Sequence, residues 1–296
     1  MKKILITGGE GQLAHDLKNN LNYPKLCLNF YNKKDLDITD HKNFKKIVQK
    51  IKPDLIINTA AYTKVDDAET SRKVAINTNS NGPKNIASVC SNLDIPLIHI
   101  STDYVFDGKK TSEYTEDDIP NPLNYYGYSK LKGENHIRSI LKKHIIIRAG
   151  WLFGFKGGNF VKTIMKISSN KKISIVDDQF GVPTPTSVFA DDLLNISQQI
   201  LINKKDNLYG TYHYSCKPSI SWYNFANYII NYSYKTGILV HKPNITPIKT
   251  SDYNFIALRP KNTVLSSDKI NYNFNLISKE WEIYLYKLIN KLKDEK

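Results

Sequence analysis

The feature that most constrains this chain is its first twenty residues. An apolar run, Ile4–Thr7, passes at once into Gly8-Gly9-Glu10-Gly11 and then into a helical pattern over Gln12–Leu21. A strand that turns through glycines into a helix is the setting in which a dinucleotide pyrophosphate rests on a helix N-terminus. Gly8 permits the tight turn, and Gly11 lets the backbone approach the pyrophosphate. Ala14 stands where a last glycine is usual and is small enough for close helix–strand packing. Gln12 and Leu13 follow the turn and belong to the same expected cofactor surface.

The same rhythm continues. Strand-like runs recur at Leu26–Phe30, Leu55–Asn58, Leu97–Ser101 and Ile145–Arg148, and helix-length segments separate them at His41–Ile51, Asp67–Leu93 and Tyr126–Leu141. Such alternation predicts βαβ units and a parallel sheet, an α/β fold. After Gly150 the pattern loosens. Helices are expected at Phe160–Ile167, Val188–Ile202, Trp222–Tyr234 and Lys279–Leu292, with Asp177–Pro185 loop-like and Pro243–Pro260 mostly irregular. Residues 1–150 are therefore expected to form an NAD(P)-binding unit. Residues 151–296 are expected to be mainly substrate-binding, with some segments returning to the first unit.

The formal net charge of +14 raises nucleic acid as a partner. The lysines are spread as pairs such as Lys33-Lys34, Lys45-Lys46 and Lys204-Lys205, never as a long block. A solvated basic surface that attracts a small anionic substrate is the expectation, with no nucleic-acid partner. The 3 cysteines have no metal or redox spacing. No run approaches the ~20 apolar residues of a membrane span, and the first apolar run is too short for a signal peptide. A cytoplasmic protein without membrane contact is expected, as a monomer or homodimer.

The second strand ends in Phe30-Tyr31-Asn32-Lys33-Lys34-Asp35. An acidic residue near this strand end would hold a ribose hydroxyl, whereas Lys33 suits a 2′-phosphate. NADPH is the preferred donor, NADH a possible one. Asp37-Ile38 is placed to approach the adenine, and Ala60-Ala61-Tyr62 to line the cofactor.

Tyr126 and Lys130 lie four apart on a helix and share a face. An ammonium beside a phenol stabilises phenolate and lowers its pKa. Tyr126 is then expected to act as general acid or base on a carbonyl/alcohol pair, while Lys130 holds the nicotinamide ribose. Thr102, at the carboxyl end of the fourth strand, is placed to hydrogen-bond the substrate oxygen.

Together these pieces resemble the extended short-chain dehydrogenase/reductase superfamily and, more narrowly, its dTDP-4-dehydrorhamnose reductase branch. The narrower resemblance rests on Asp35-Leu-Asp-Ile-Thr-Asp40, Asn58-Thr-Ala-Ala-Tyr-Thr-Lys-Val-Asp66, Ser101-Thr-Asp-Tyr-Val-Phe-Asp-Gly108, Arg148-Ala-Gly-Trp-Leu-Phe-Gly154 and Arg259-Pro-Lys-Asn-Thr-Val-Leu265. It implies a Rossmann-type doubly wound parallel sheet with a smaller mixed α/β substrate-binding domain. It implies a catalytic role for Thr102, Tyr126 and Lys130. It implies substrate contacts for Val65, Asp66, Asp103, Phe106, Trp151 and Arg259, with Trp151 against the sugar and Arg259 on the pyrophosphate. The reaction implied is reduction of a dTDP-linked 4-keto-6-deoxy sugar to dTDP-L-rhamnose. Some members bridge a dimer through a metal such as Mg. Here Asp16 has no evident acidic companions, since Thr186-Ser187-Val188 is not acidic, and no metal is expected. The alternatives are a reductase or epimerase for another nucleotide-linked 4-keto-6-deoxy sugar, or a non-catalytic nucleotide-binding regulatory subunit of the same fold.

Overall fold

A computed structural model describes residues 1–202 and 208–294, so the Lys204-Lys205 pair lies outside the described residues. In chain order the first half gives β1 (Lys2–Thr7), α1 (Gln12–Lys18), β2 (Leu26–Tyr31), α2 (His41–Ile51), β3 (Leu55–Asn58), α3 (Val65–Thr70), α4 (Arg72–Ile76), α5 (Gly82–Leu93), β4 (Leu97–Thr102), α6 (Tyr125–Ile140) and β5 (His144–Ala149). The second half gives β6 (Leu152–Phe153), α7 (Phe160–Ile167), β7 (Lys172–Val176), β8 (Phe180–Gly181), β9 (Thr184–Pro185), α8 (Thr186–Leu201), β10 (Gly210–Tyr214), β11 (Ile220–Ser221), α9 (Trp222–Lys235), β12 (Asn244–Ile248), α10 (Asp268–Phe274) and α11 (Trp281–Asp294).

Six strands form one parallel sheet in the order β10-β5-β4-β3-β1-β2. β1 pairs with β2 on one side and β3 on the other, so the winding reverses there and opens a crevice at the strands' carboxyl ends. Both faces are covered, which explains why the strands read as near-continuous apolar runs. Alternate residues Ile4, Ile6, Ile57 and Ile147 pack on α1, α8 and α10 through Leu17, Phe189, Leu193 and Phe274. Leu5, Ile56 and Ile146 pack the other way on α2, α5 and α6 through Phe44, Val48, Ile86 and Ile137. Each such side chain, fully buried, contributes roughly 1.5–3 kcal/mol of transfer free energy.

A second core gathers Phe153, Val161, Ile164, Ile173, Phe225, Trp281 and Leu285 around α7, α9, α11 and the β7–β12 pair. The chain crosses between the two cores repeatedly. After leaving the sheet at Ala149 it returns through α8, β10 and α10.

The segment Asp67–Leu93 is not one helix. It bends at Ser71, and Asn77–Asn81 forms a π turn before α5. Pro83 sits in the first turn of α5, where it has no amide hydrogen to give the preceding turn. The Asn79 side chain leaves the helix and bonds the Tyr62 backbone in both directions, at 2.8 and 3.0 Å. Pro243–Pro260 is not wholly irregular, because Asn244–Ile248 pairs in parallel with Lys172–Val176. The sixth strand of the main sheet, β10, was not foreseen. Among the described residues no helix is long and apolar enough to cross a membrane.

Candidate active site

The carboxyl ends of β1, β3, β4 and β5 converge on a cleft of about 800 Å³. Its cofactor side begins at the glycine turn. Gly8 has φ 70, and a Cβ there would stand 2.8 Å from the Ala60 nitrogen, so only glycine lets β1 and β3 meet so closely. Gly11 caps α1 without a side-chain hydrogen bond, which leaves the first-turn amides available to an anion. This backbone fits a dinucleotide pyrophosphate.

Gly8, Gly11, Gln12, Leu13, Lys33, Asp37, Ile38, Ala60 and Ala61 all line the cleft, as do Glu10 and Asn32. Lys33 is exposed at the end of β2, where Asn32 Oδ1 accepts from the Lys34 and Asp35 amides and shapes the turn. Tyr62 is not among the cleft-lining residues; its backbone is bound in both directions by the Asn79 side chain. Gln12 also has a second allegiance. Its Nε2 donates to the Leu152 carbonyl at 3.2 Å, and its Oε1 accepts from Asn159 at 3.3 Å, which ties the glycine turn to the far wall.

Thr102 ends β4, and Tyr126 and Lys130 lie on the first turns of α6. All three line the cleft. Asn124 caps α6 by accepting from the Gly127 amide at 2.8 Å and donates to the Leu258 carbonyl at 2.8 Å. A Cβ on Gly127 would fall 2.1 Å from the Tyr104 carbonyl oxygen. The glycine therefore lets α6 press against the loop after β4 and brings Tyr126 within hydrogen-bond reach of Thr102.

Burial pushes the Tyr126 phenol up to about 12; the Thr102 hydroxyl works the other way, and Asp103 adds to the rise. This is opposite to the lowering expected from Lys130. The lysine side chain is buried and turns inward, with Nζ donating to the Ile100 carbonyl at 2.6 Å and standing 3.5 Å from His99 Nε2. Burial brings Lys130 itself down to about 8, opposed by the carboxylate of Glu134. Glu134 is also buried, but Arg148, at 2.8 Å, holds it ionised below its usual range. The site thus keeps a protonated phenol, suited to giving a proton rather than taking one.

Asp103 lines the same cleft beneath Thr102, whose Oγ1 lies 3.0 Å from its Oδ1. Its Oδ2 is buried and has no well-aligned hydrogen-bond partner among the described residues, and burial pushes the carboxyl up to about 6 against the pull of the Thr263 and Thr102 hydroxyls. A hydroxyl has one proton, so Thr102 donates either to Asp103 or toward the oxygen beside Tyr126.

Val65 and Trp151 also line the cleft, as do Phe160 and Trp222. The last two gave no signal beyond being aromatic residues that open predicted helices. Three expected substrate contacts are placed elsewhere. Phe106 is fully buried, stacked on Tyr114 at 4.2 Å beneath the Arg148 guanidinium, so its ring is core. Asp66 and Arg259 meet each other, at 2.6 and 3.0 Å, and do not line the cleft. That bidentate pair holds the Asp66 carboxyl low and occupies the guanidinium expected to face a pyrophosphate. Asp16 accepts from the Thr186 hydroxyl. Among the described residues no group of three or more His, Cys, Asp or Glu is arranged to hold a metal ion.

The family model described as the RmlD substrate binding domain matches residues 1–294. The chain is 38% identical over 287 residues to a dTDP-4-dehydrorhamnose reductase of Aggregatibacter actinomycetemcomitans, covering 95% of this chain and 96% of that protein. It is similar to the crystal structure of a dTDP-4-dehydrorhamnose reductase of Bacillus anthracis in complex with NADP, with a TM-score of 0.88, 36% identity, and 98% and 100% of the two chains covered. A reductase ortholog of Clostridium acetobutylicum superposes with a TM-score of 0.89 at 36% identity, covering 98% of this chain and 99% of that one.

Proposed function

The chain belongs to the RmlD substrate binding domain family, and from that membership we infer that it reduces dTDP-4-dehydro-β-L-rhamnose to dTDP-β-L-rhamnose with NADPH. The observation that carries this reading is the gathering of Tyr126, Thr102 and Lys130 in one cleft that joins the glycine turn to an aromatic end. Bound NADPH supplies the hydride. The remaining chemistry falls to side chains of this chain.

Thr102 offers its hydroxyl to the ketone oxygen, and Tyr126 gives that oxygen its proton as negative charge develops. Lys130, a donor with no acceptor role while charged, steadies the phenol's end of the cleft and the cofactor ribose. The sheet side, residues 1–150 with the returning α8 and β10, serves the cofactor. The second core brings Trp151 to the sugar. Lys33 suits a 2′-phosphate, which favours NADPH over NADH. The three free thiols, two of them buried, fit a reducing cytoplasm.

The test is NADPH oxidation, followed by absorbance, with a panel of nucleotide-linked 4-keto-6-deoxy sugars and identification of the product. Consumption is expected with the dTDP-linked rhamno-configured ketone. Oxidation with none of the panel would sink the reading.

A further inference from the structure

Trp151 is stacked on one face. On one side its indole lies parallel to that of Trp222, with ring centroids 3.3 Å apart and planes at 2°. Gly181 also lies close against the indole, where a Cβ would stand only 2.3 Å from Cε2 and Nε1. Any residue larger than glycine there would strike the indole. Trp151 is also one of four non-glycine positions with positive φ among the described residues, at 50°. That backbone is costly for a bulky residue and persists when surrounding packing dictates it.

Its partner is fixed in place by different means. Trp222 opens α9, whose cap residue Ser221 donates to Asp177 at 2.5 Å and accepts from the Asn224 amide at 3.2 Å. Phe160, opening α7, meets Trp222 at 4.3 Å. Trp151, Trp222 and Phe160 all line the cleft. The stack thus borders the space a sugar would enter. A 6-deoxy sugar has an apolar edge at C5 and its methyl group, and such edges bind aromatic faces.

We propose that Trp222 is a gating and specificity-determining residue that occupies, in the free protein, the face of Trp151 that the sugar ring takes in the complex. Binding exchanges an indole–indole stack for a sugar–indole stack, while Gly181 stays close against the Trp151 indole. A sugar with a hydroxyl in place of the methyl gains less from that exchange and cannot displace the indole as well. The inference rests on the reading of the cleft as a nucleotide-sugar site.

Two indoles stacked face to face give an exciton couplet in the circular dichroism spectrum, and Trp281 is buried apart from this pair with Nε1 donating to the Pro218 carbonyl. The free protein should show the couplet, and Trp222→Phe should abolish it. Saturating dTDP-L-rhamnose should also abolish it, while dTDP alone should leave it. Without the gate to displace, Trp222→Ala should lower the KM for the keto sugar about threefold to tenfold, and Trp151→Ala should raise it. Trp222→Phe is the milder variant should Trp222→Ala not fold. A couplet that persists with sugar nucleotide bound, in a protein that turns the substrate over, overturns the gate and leaves the reductase reading intact. So does a raised KM in Trp222→Ala. No turnover and no binding of any sugar nucleotide overturns both.

Discussion

The two walls of the cleft are built on different principles. The cofactor wall is made of strand ends and one turn, each completed within about ten residues of sequence. Gly8, Gly11 and Ala60 are set by the β1–β3 register. The wall proposed for the sugar is assembled from Trp151, Phe160 and Trp222, with Gly181 close against Trp151, which four separate segments bring together through two-residue strands such as β8 and β11. A wall made by regular backbone is common to many chemistries of this fold, whereas a wall made by side chains from scattered loops can change its ligand without disturbing the sheet.

Tyr126 stands where the walls meet, and its loss should have the largest effect. Tyr126→Phe removes the proton donor but keeps the ring that meets Tyr104 edge-on at 6.0 Å. A fall in kcat of about 10²–10⁴-fold is expected, with NADPH binding retained, measured by steady-state kinetics and cofactor titration. The pH profile sharpens the point. Tyr126, pushed up to about 12, stays protonated through the working range, while Lys130, brought down to about 8, loses its charge as pH rises. Activity should therefore be level between about pH 6, where Asp103 takes up a proton, and pH 8, and decline above it. A profile flat to pH 10 would remove Lys130's charge from the mechanism.

Two glycine substitutions test the contrast between the walls directly. Gly8→Ala forces a Cβ against the Ala60 backbone at positive φ, a strain of about 1–3 kcal/mol. NADPH affinity should fall, and the sugar nucleotide's KM should follow only through the cofactor. Gly181→Ala drives a Cβ into the Trp151 indole, an overpacking cost also of about 1–3 kcal/mol that a rotating side chain can partly relieve. Here the KM for the sugar should rise and the Kd for NADPH should stay. If both variants moved both constants equally, the walls would be one unit, coupled through the Gln12 contacts with Leu152 and Asn159.

The same contrast decides what the sequence could disclose. β3, α2 and α7 lie on the residues that periodicity predicts, because their apolar spacing is local. The glycine turn and the Tyr126–Lys130 spacing are local too. β10 has no comparable local signal, because Gly210–Tyr214 becomes a strand by pairing with β5, more than sixty residues earlier. The stack of Trp151 on Trp222 depends on a contact across seventy residues. The direction of the Tyr126 shift was misjudged for a related reason. Spacing places an ammonium on the phenol's helix face, but burial and the Ile100 carbonyl, both nonlocal, draw Lys130 inward. Phe106 and Arg259 likewise sit in family strings, yet their surroundings, Tyr114 and Asp66, come from other parts of the chain.

The smallest effect belongs to the outer end of the cofactor wall. Lys33 is exposed, lines the cleft beyond β2, and makes no ion pair among the described residues. A solvated charge acting on a phosphate contributes about 1 kcal/mol or less, a twofold to fivefold change in binding. Lys33→Ala should raise the KM for NADPH by that factor and leave the KM for NADH unchanged. The difference should shrink as salt screens the charge, since the Debye length is about 8 Å at physiological ionic strength. Equal losses with both cofactors would mean that Lys33 shapes the turn, a task the Asn32 hydrogen bonds to Lys34 and Asp35 already perform, and that the 2′-phosphate is recognised elsewhere.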